Sequence, residues 1–224
     1  MSRFLEPGSN CVDVGAHRGV MLRQMIRLAP RGRHAAVEPL PAYAKGLRRR
    51  FKRLADIHEL AVSDTQGEIT FHQVLSYPSY SGIARRRYPS EDVTIKDIRV
   101  RTALLDDLVA GRSIDFVKID VEGGELAVLR GAGRVLKEYR PVVLFEHGSD
   151  GTAEALARTA GVWAELQAAG LSIYKIRAWL DGGAPVSWED FCEALGRGDY
   201  YFVAADEPLA TWRISHSSRG PARG

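Results

Sequence analysis

Short apolar runs, each closed by a glycine, a proline or an acid, alternate along the chain with segments of helical spacing. Residues 10–15 (NCVDVG) form a contiguous apolar run ending in glycine, the pattern of a strand buried on both faces. Within 19–28, Val20, Met21, Ile26 and Leu28 recur at helical spacing, and Pro30 and Gly32 close the segment. Residues 34–38 (HAAVE) read as a second strand stopped by Pro39, 42–54 as a basic helix, and 57–62 (IHELAV) as a third strand. Strands separated by helices predict a parallel sheet with crossover connections.

The middle of the chain changes period. Residues 68–75 (EITFHQVL) alternate apolar and polar, as a half-buried antiparallel strand does, and 98–103 alternate again. Between them runs a polar connection, 76–97, with Tyr77, Tyr80, Tyr88 and the triplet Arg85–Arg86–Arg87. A connection of this length is expected to be a lid or a binding loop. A helical turn at 104–108 leads back into regular alternation: a strand at 114–120, a helix at 124–139 interrupted at Gly131 and Gly133, and a strand at 141–147 (PVVLFEH). A helix at 152–169 and strands at 171–176 and 200–204 complete the pattern. One domain is expected over 1–214, with the polar tail 215–224 disordered.

Composition narrows the class. With 45% hydrophobic and 26% charged residues, the chain is not a disordered segment, a collagen or a stapled mini-protein. No apolar run approaches the ~18 residues of a membrane span, and the N-terminus lacks the apolar core of a secretory signal. Cys11 and Cys192 make neither a disulfide framework nor a metal spacing, which favours a reducing cytoplasm. A net charge of +3 does not call for nucleic acid as a partner. The basic runs at 48–53 and 85–87 read first as a solvated helix face and a solvated loop, and each can also grip an anionic substrate. A homo-oligomer stays open.

In open α/β sheets ligands bind at the carboxyl ends of the strands. The first strand ends Val12-Asp13-Val14-Gly15-Ala16-His17-Arg18-Gly19, where Gly15 and Gly19 allow a tight turn before a helix N-terminus. The second ends in Glu38, an acid placed to accept both hydroxyls of a ribose. The loop lacks the middle glycine that meets a pyrophosphate, and no Gly-Lys-Ser/Thr is present, so neither a dinucleotide loop nor a P-loop is expected. S-adenosylmethionine suits such a site, with Glu38 on the ribose and the loop 15–19, His17 included, on the methionine part. After the third strand, Ser63 and Asp64 are candidates for the adenine, and Asp64 also reads as turn chemistry. The fourth strand delivers Asp120, Glu122 and Glu125 within six residues, and the fifth ends Phe145-Glu146-His147. Two chemistries follow. Asp120, Glu122 or His147 takes the proton of an attacking hydroxyl; or a divalent ion on Asp120, Glu122 or Glu125, and His147 activates it, which the spacing does not favour. Asp120 serves equally as a ligand of the cofactor's amino group.

Five pieces of the chain carry a family likeness: VDVGAHRG (12–19), VEPLP (37–41), AVSDTQGEITF (61–71), RTALLDDL (101–108) and VKIDVEGGELAVLRGA (117–132). In these the sequence resembles the FkbM family of S-adenosylmethionine-dependent methyltransferases. The resemblance implies the class I methyltransferase fold, a Rossmann-like α/β sheet of seven mostly parallel strands whose last strand, 200–204, is antiparallel. It implies O-methylation of a hydroxyl on a small molecule, a sugar or a secondary metabolite. Asp13, Gly15, Glu38 and Asp64 are then cofactor residues, and Asp120, Glu122 and Glu125 the family signature, with their division of labour open. His17 stands where the family often has Asn. The first strand begins so early that the helices capping the site in many relatives are expected to be missing. Beyond residue 150 the likeness fades, and substrate choice is expected there. The rival readings are an RNA or protein methyltransferase on the same sheet, and a non-catalytic cofactor-binding protein; an NAD-dependent reductase is disfavoured by the loop.

Overall fold

The computed structural model describes residues 1–78, 81–83 and 93–211. The first strand, β1 (Cys11–Val14), is buried at every position, as a strand with a parallel neighbour on each side must be. Its neighbours are β2 (His34–Val37) and β7 (Phe116–Ile119). Beyond β2 lies β3 (Ala55–His58); beyond β7 lie β8 (Val142–Glu146), β10 (Tyr201–Ala205) and β9 (Ser172–Lys175). The order is β3-β2-β1-β7-β8-β10-β9, with β10 antiparallel to both neighbours and the other six strands parallel. This is the class I methyltransferase topology. The chain moves outward from β1 to β3 and then returns to β7, so the switch in strand order falls between β1 and β7.

Helices α1 (Val20–Leu28), α2 (Pro41–Phe51) and α7 (Ile176–Asp181) cover one face. Met25 and Trp179 pack there against Cys11, Phe116 and Val142, and Leu22 packs with Leu47 and Phe51. The other face carries α3 (Leu105–Leu108), α4 (Glu125–Arg130), α5 (Gly133–Tyr139), α6 (Ala153–Ala168) and α8 (Trp188–Gly196), with Val117, Ile119, Val143, Phe145 and Phe202 beneath them. Each fully buried phenylalanine contributes roughly 1.5–3 kcal/mol through area removed from water. No helix among the described residues is long and apolar enough to cross a membrane.

Two parts of the chain depart from the sequence pattern. The expected third strand at 57–62 is two strands. β3 ends at His58, and β4 (Ala61–Val62) leaves the main sheet to pair with β6 (Ile95–Ala103), which also pairs with β5 (Gly67–Val74). Leu40, Ala61, Phe71 and Val100 give this second sheet its own apolar cluster. The expected strand 171–176 ends at Lys175, α7 begins at Ile176, and α8 fills part of the segment 177–199, where no element is expected; α8 starts at a reciprocal cap between Ser187 and Asp190. Within the expected lid, Ser81 Oγ accepts from Val74 N (3.0 Å) and Gly82 pairs with His72, so 81–83 sit on the second sheet. The Arg85–Arg87 triplet, Tyr80, Tyr88 and the tail 215–224 lie outside the described residues.

At the switch point Gly15 has φ +78°, and a Cβ on it would stand 1.9 Å from the Asp120 carbonyl oxygen. Both the left-handed backbone and the contact with β7 exclude a side chain. Gly15→Ala is expected to lower unfolding free energy by about 3 kcal/mol, seen in urea denaturation as a lower midpoint at unchanged slope.

Candidate active site

At the carboxyl edge of β1, β2, β7 and β8 opens a cavity of about 1050 Å³. Val14, Gly15, His17, Glu38 and Leu40 line one side, Leu60, Ala61, Val62, Phe71 and Ile83 a second, and Asp120, Glu122, Glu146, Arg158, Tyr200 and Tyr201 the third.

Glu38 is 4% exposed, and its two carboxylate oxygens take separate backbone donors. His17 N donates to Oε2 at 2.7 Å and Leu40 N to Oε1 at 2.9 Å. The carboxylate is thus fixed between the loops after β1 and β2. Each oxygen keeps a further lone pair for a ligand. Burial pushes its pKa up to about 7, against the pull of those two N–H groups. His17 reaches its place with φ +47°, a left-handed turn that costs a non-glycine residue about 1 kcal/mol. Its ring packs on Tyr43 at 4.2 Å between centroids, and burial, then the charges of Arg18 and Lys118, push its pKa down.

The third wall is acidic. Lys118 and Asp120 follow one another on one face of β7, and Leu144 and Glu146 lie beside them on β8. One step past the pairing of Ile119 with Phe145, Asp120 and Glu146 are neighbours. Glu122, at φ +52°, turns back toward the pair. Ligand atoms of Asp120, Glu122 and Glu146 lie within 4.8 Å of one another. Tyr201, opposite Glu146 on β10, hydrogen-bonds to it; that bond, burial and the surrounding carboxylates push the phenol pKa up. Lys118 sits beneath the group, 8% exposed. Its Nζ donates to Gly15 O at 2.7 Å and lies 3.2 Å from Asp120 Oδ2.

Several expected residues are placed elsewhere. Asp13 does not line the cavity. It is fully buried; its Oδ2 accepts from Leu22 N at 3.0 Å, holding the first turn of α1, and its Oδ1 stands 3.4 Å from Lys118 Nζ, an ion-pair contact without hydrogen-bond alignment. Burial pushes the Asp13 pKa up, against the pull of Lys118. Gly19 is the N-cap of α1 and packs on Leu47 and Phe51. Ser63 is buried with its carbonyl against Gly131, and Asp64 is exposed beside it; the preceding Ala61 and Val62 line the cavity instead.

The largest correction concerns His147. It follows Glu146 on β8 and so points to the opposite face, under α4 and α6, where it is 2% exposed. Its Nδ1 lies 3.3 Å from Glu125 Oε2 and its Nε2 3.0 Å from Thr159 Oγ1. The Thr159 hydroxyl donates to Ala155 O, so it accepts from Nε2–H. Nδ1 then faces the Glu125 carboxyl across 3.3 Å. Glu125 Oε1 accepts from Gly123 N at 2.7 Å, tying this buried network to the loop that carries Glu122. Neither His147 nor Glu125 stands with the carboxylates that can hold a hard cation; Glu146 does. Glu146 and Lys118 were not among the expected site residues. The apolar residues around each hid the strand alternation that aims both at one face.

Comparison with known proteins gives a consistent picture. Residues 13–180 match the family described as Methyltransferase FkbM domain. The 2-O-methyltransferase NoeI of Sinorhizobium fredii is 30% identical over 160 residues, covering 62% of this chain and 64% of NoeI. The AMB antimetabolite synthetase AmbE of Pseudomonas aeruginosa is 29% identical over 196 residues, 68% of this chain but 9% of AmbE. The chain therefore spans less than two thirds of the length of either. The crystal structure of Methyltransferase FkbM from Methylobacillus flagellatus superposes with a TM-score of 0.55 at 17% identity, over 89% of this chain and 44% of that one.

The network behind the acidic wall makes a separate claim on stability. His147→Leu and Glu125→Gln each break a buried pair and are expected to cost about 3 kcal/mol in denaturant unfolding. In a double-mutant cycle the two losses should fall short of additive by more than ~1 kcal/mol.

Proposed function

The chain belongs to the FkbM methyltransferase family, and from that membership we propose that it transfers a methyl group from S-adenosylmethionine to a hydroxyl of a small molecule. The observation that carries this reading is one cavity with Glu38 clamped by two backbone N–H groups at one end and Asp120, Glu122 and Glu146 gathered at the other. Glu38 offers its remaining lone pairs to the two ribose hydroxyls. Leu60, Val62, Phe71 and Ile83 give the adenine an apolar slot, and the Gly15 backbone and Asp120 take the methionine part.

S-Adenosylmethionine supplies a methyl group on a sulfonium, with a neutral thioether as leaving group. A carbon–oxygen bond forms as the carbon–sulfur bond breaks, and the electron pair goes to sulfur. The hydroxyl's proton must leave as this happens, and the acidic wall takes it. Glu122 and Glu146 are the bases in this assignment, because Asp120 is engaged by Lys118. Holding the hydroxyl in line with the sulfonium is the wall's second task. The 2-O-methyl activity in NoeI's name supports oxygen as the acceptor atom. The same carboxylates have the oxygen donors of a hard cation. Against that use stands the Lys118 ammonium, already 3.2 Å from Asp120 Oδ2.

Three measurements test the reading. Glu38→Gln is expected to weaken S-adenosylhomocysteine binding about tenfold to a hundredfold by calorimetry. The ionised Glu38 is the acceptor and its pKa stands at about 7. Wild-type affinity should therefore fall as pH drops through 7, toward about tenfold per unit, while the Gln variant stays flat. Glu122→Gln and Glu146→Gln should leave that affinity unchanged and lower transfer from labelled donor to hydroxylated acceptors by about a hundredfold. Turnover should survive a chelator. Loss with chelator and recovery with Mg²⁺ would move the wall's role from base to cation ligand.

A further inference from the structure

The chain's charge is divided by region. Residues 18–53 hold eleven of the 31 Lys and Arg and one of the 28 acids, and that acid is the buried Glu38. The remainder of the chain is net acidic. All eleven cations are exposed. On α1 the outward stripe is Val20, Arg23 and Arg27, continuing to Arg31; on α2 it is Lys45, Arg48, Arg49 and Lys52, with Arg53 following. The two helices are neighbours on one face of the sheet, joined by Leu22, Leu47 and Phe51.

A solvated helix face normally mixes signs. Elsewhere this chain does so: Arg134 pairs with Glu138, Arg177 with Asp181 and Arg197 with Glu193, each one turn apart. α1 and α2 contain no acid with which to do it. Among the described residues, Arg48 alone of the eleven has a carboxylate partner, Glu59. The helix dipole of α2 accounts for Arg48–Arg50 in its last turn, but not for Arg23, Lys45 or Arg53.

We propose that the α1–α2 flank docks the acidic surface of a partner protein. Nine of the eleven cations are arginine, the side chain that grips carboxylates in pairs and is enriched at protein interfaces. Within the flank two aliphatic side chains stand open, Val20 at 63% and Leu54 at 53% exposure, as contacts for an apolar patch among the partner's acids. A nucleic acid suits the flank less well. Phe51 is buried and Tyr43 is packed on His17, so no aromatic platform meets a base. The helices are about 14 and 16 Å long. The flank is therefore smaller than one side of a standard interface, and the complex is transient and electrostatically steered.

The test uses the full chain and defined probes: a short Glu-rich amphipathic helical peptide bearing leucines, its Glu→Gln counterpart, duplex DNA, and vesicles containing phosphatidylglycerol. The expected result is salt-sensitive binding of the acidic peptide ahead of the other three. The quadruple variant Arg23→Gln/Arg27→Gln/Lys45→Gln/Arg49→Gln should weaken it about tenfold or more. A control losing Arg130, Arg134, Lys137 and Arg197 should bind as wild type, and both variants should keep their affinity for S-adenosylhomocysteine. Equal binding by the two variants overturns the proposal. DNA or vesicles binding more tightly than the peptide overturns it in favour of those partners. Self-association at low salt that the flank variant abolishes overturns it in favour of a second copy of the chain.

Discussion

One buried ammonium holds the site together. Lys118 lies on the central strand β7, beside the end of β1, and its Nζ reaches the Gly15 carbonyl, Asp13 and Asp120 at once. Remove it, and two carboxylates from adjacent strands face each other with no counter-charge in a poorly solvated crevice. Breaking one partner out of such a group costs about 3–5 kcal/mol, a large share of a domain's net stability. The strain at His17 and Glu122, and the missing side chain at Gly15, are tolerable because this contact fixes both loops between which they sit.

The sheet was legible in the sequence because strands buried on both faces read as unbroken apolar runs, and β1, β2, β7 and β8 each stop at a glycine or an acid. That same continuity concealed what mattered at the site. In Phe145-Glu146-His147 nothing local tells which of the two polar residues shares a face with Asp120; the register with β7 decides it. The family resemblance makes Asp13 a cofactor residue, whereas its oxygens serve Leu22 and Lys118. Lys118 went unread because two of its partners, Asp13 and the Gly15 carbonyl, lie over a hundred residues earlier. The split between β3 and β4 was hidden too, since Ala61-Val62 continues the apolar run without a turn residue to mark the change of sheet. The cap of α8, Ser187 with Asp190 three residues on, is a local start signal in the sequence, yet the helix it opens was not among the expected elements.

The two ends of the cavity follow different physical logic. At Glu38 every polar atom has a fixed donor, which suits a cofactor of one shape. At Asp120, Glu122 and Glu146 charge is concentrated and partly open to water, which suits chemistry on acceptors of varied outline. Arg158 from α6 and Tyr200, just before β10, border that open end; the family match runs on past Arg158 to residue 180, farther than the expected limit near residue 150.

The pairing of β1 with β7 also has a consequence in time. Lys118 and Gly15 are 103 residues apart, so their contact closes a long loop. During synthesis the strands β1, β2 and β3, with Glu38 among them, leave the ribosome well before β7 does. The Glu38 half of the crevice is therefore spelled out early, while β1 waits with one edge unpaired. Until β7 arrives that edge is open to the wrong strand, of its own chain or of another, and the nascent protein is at its most aggregation-prone. The basic helices α1 and α2 emerge in that same interval, and their mutual repulsion with other nascent copies keeps such chains apart.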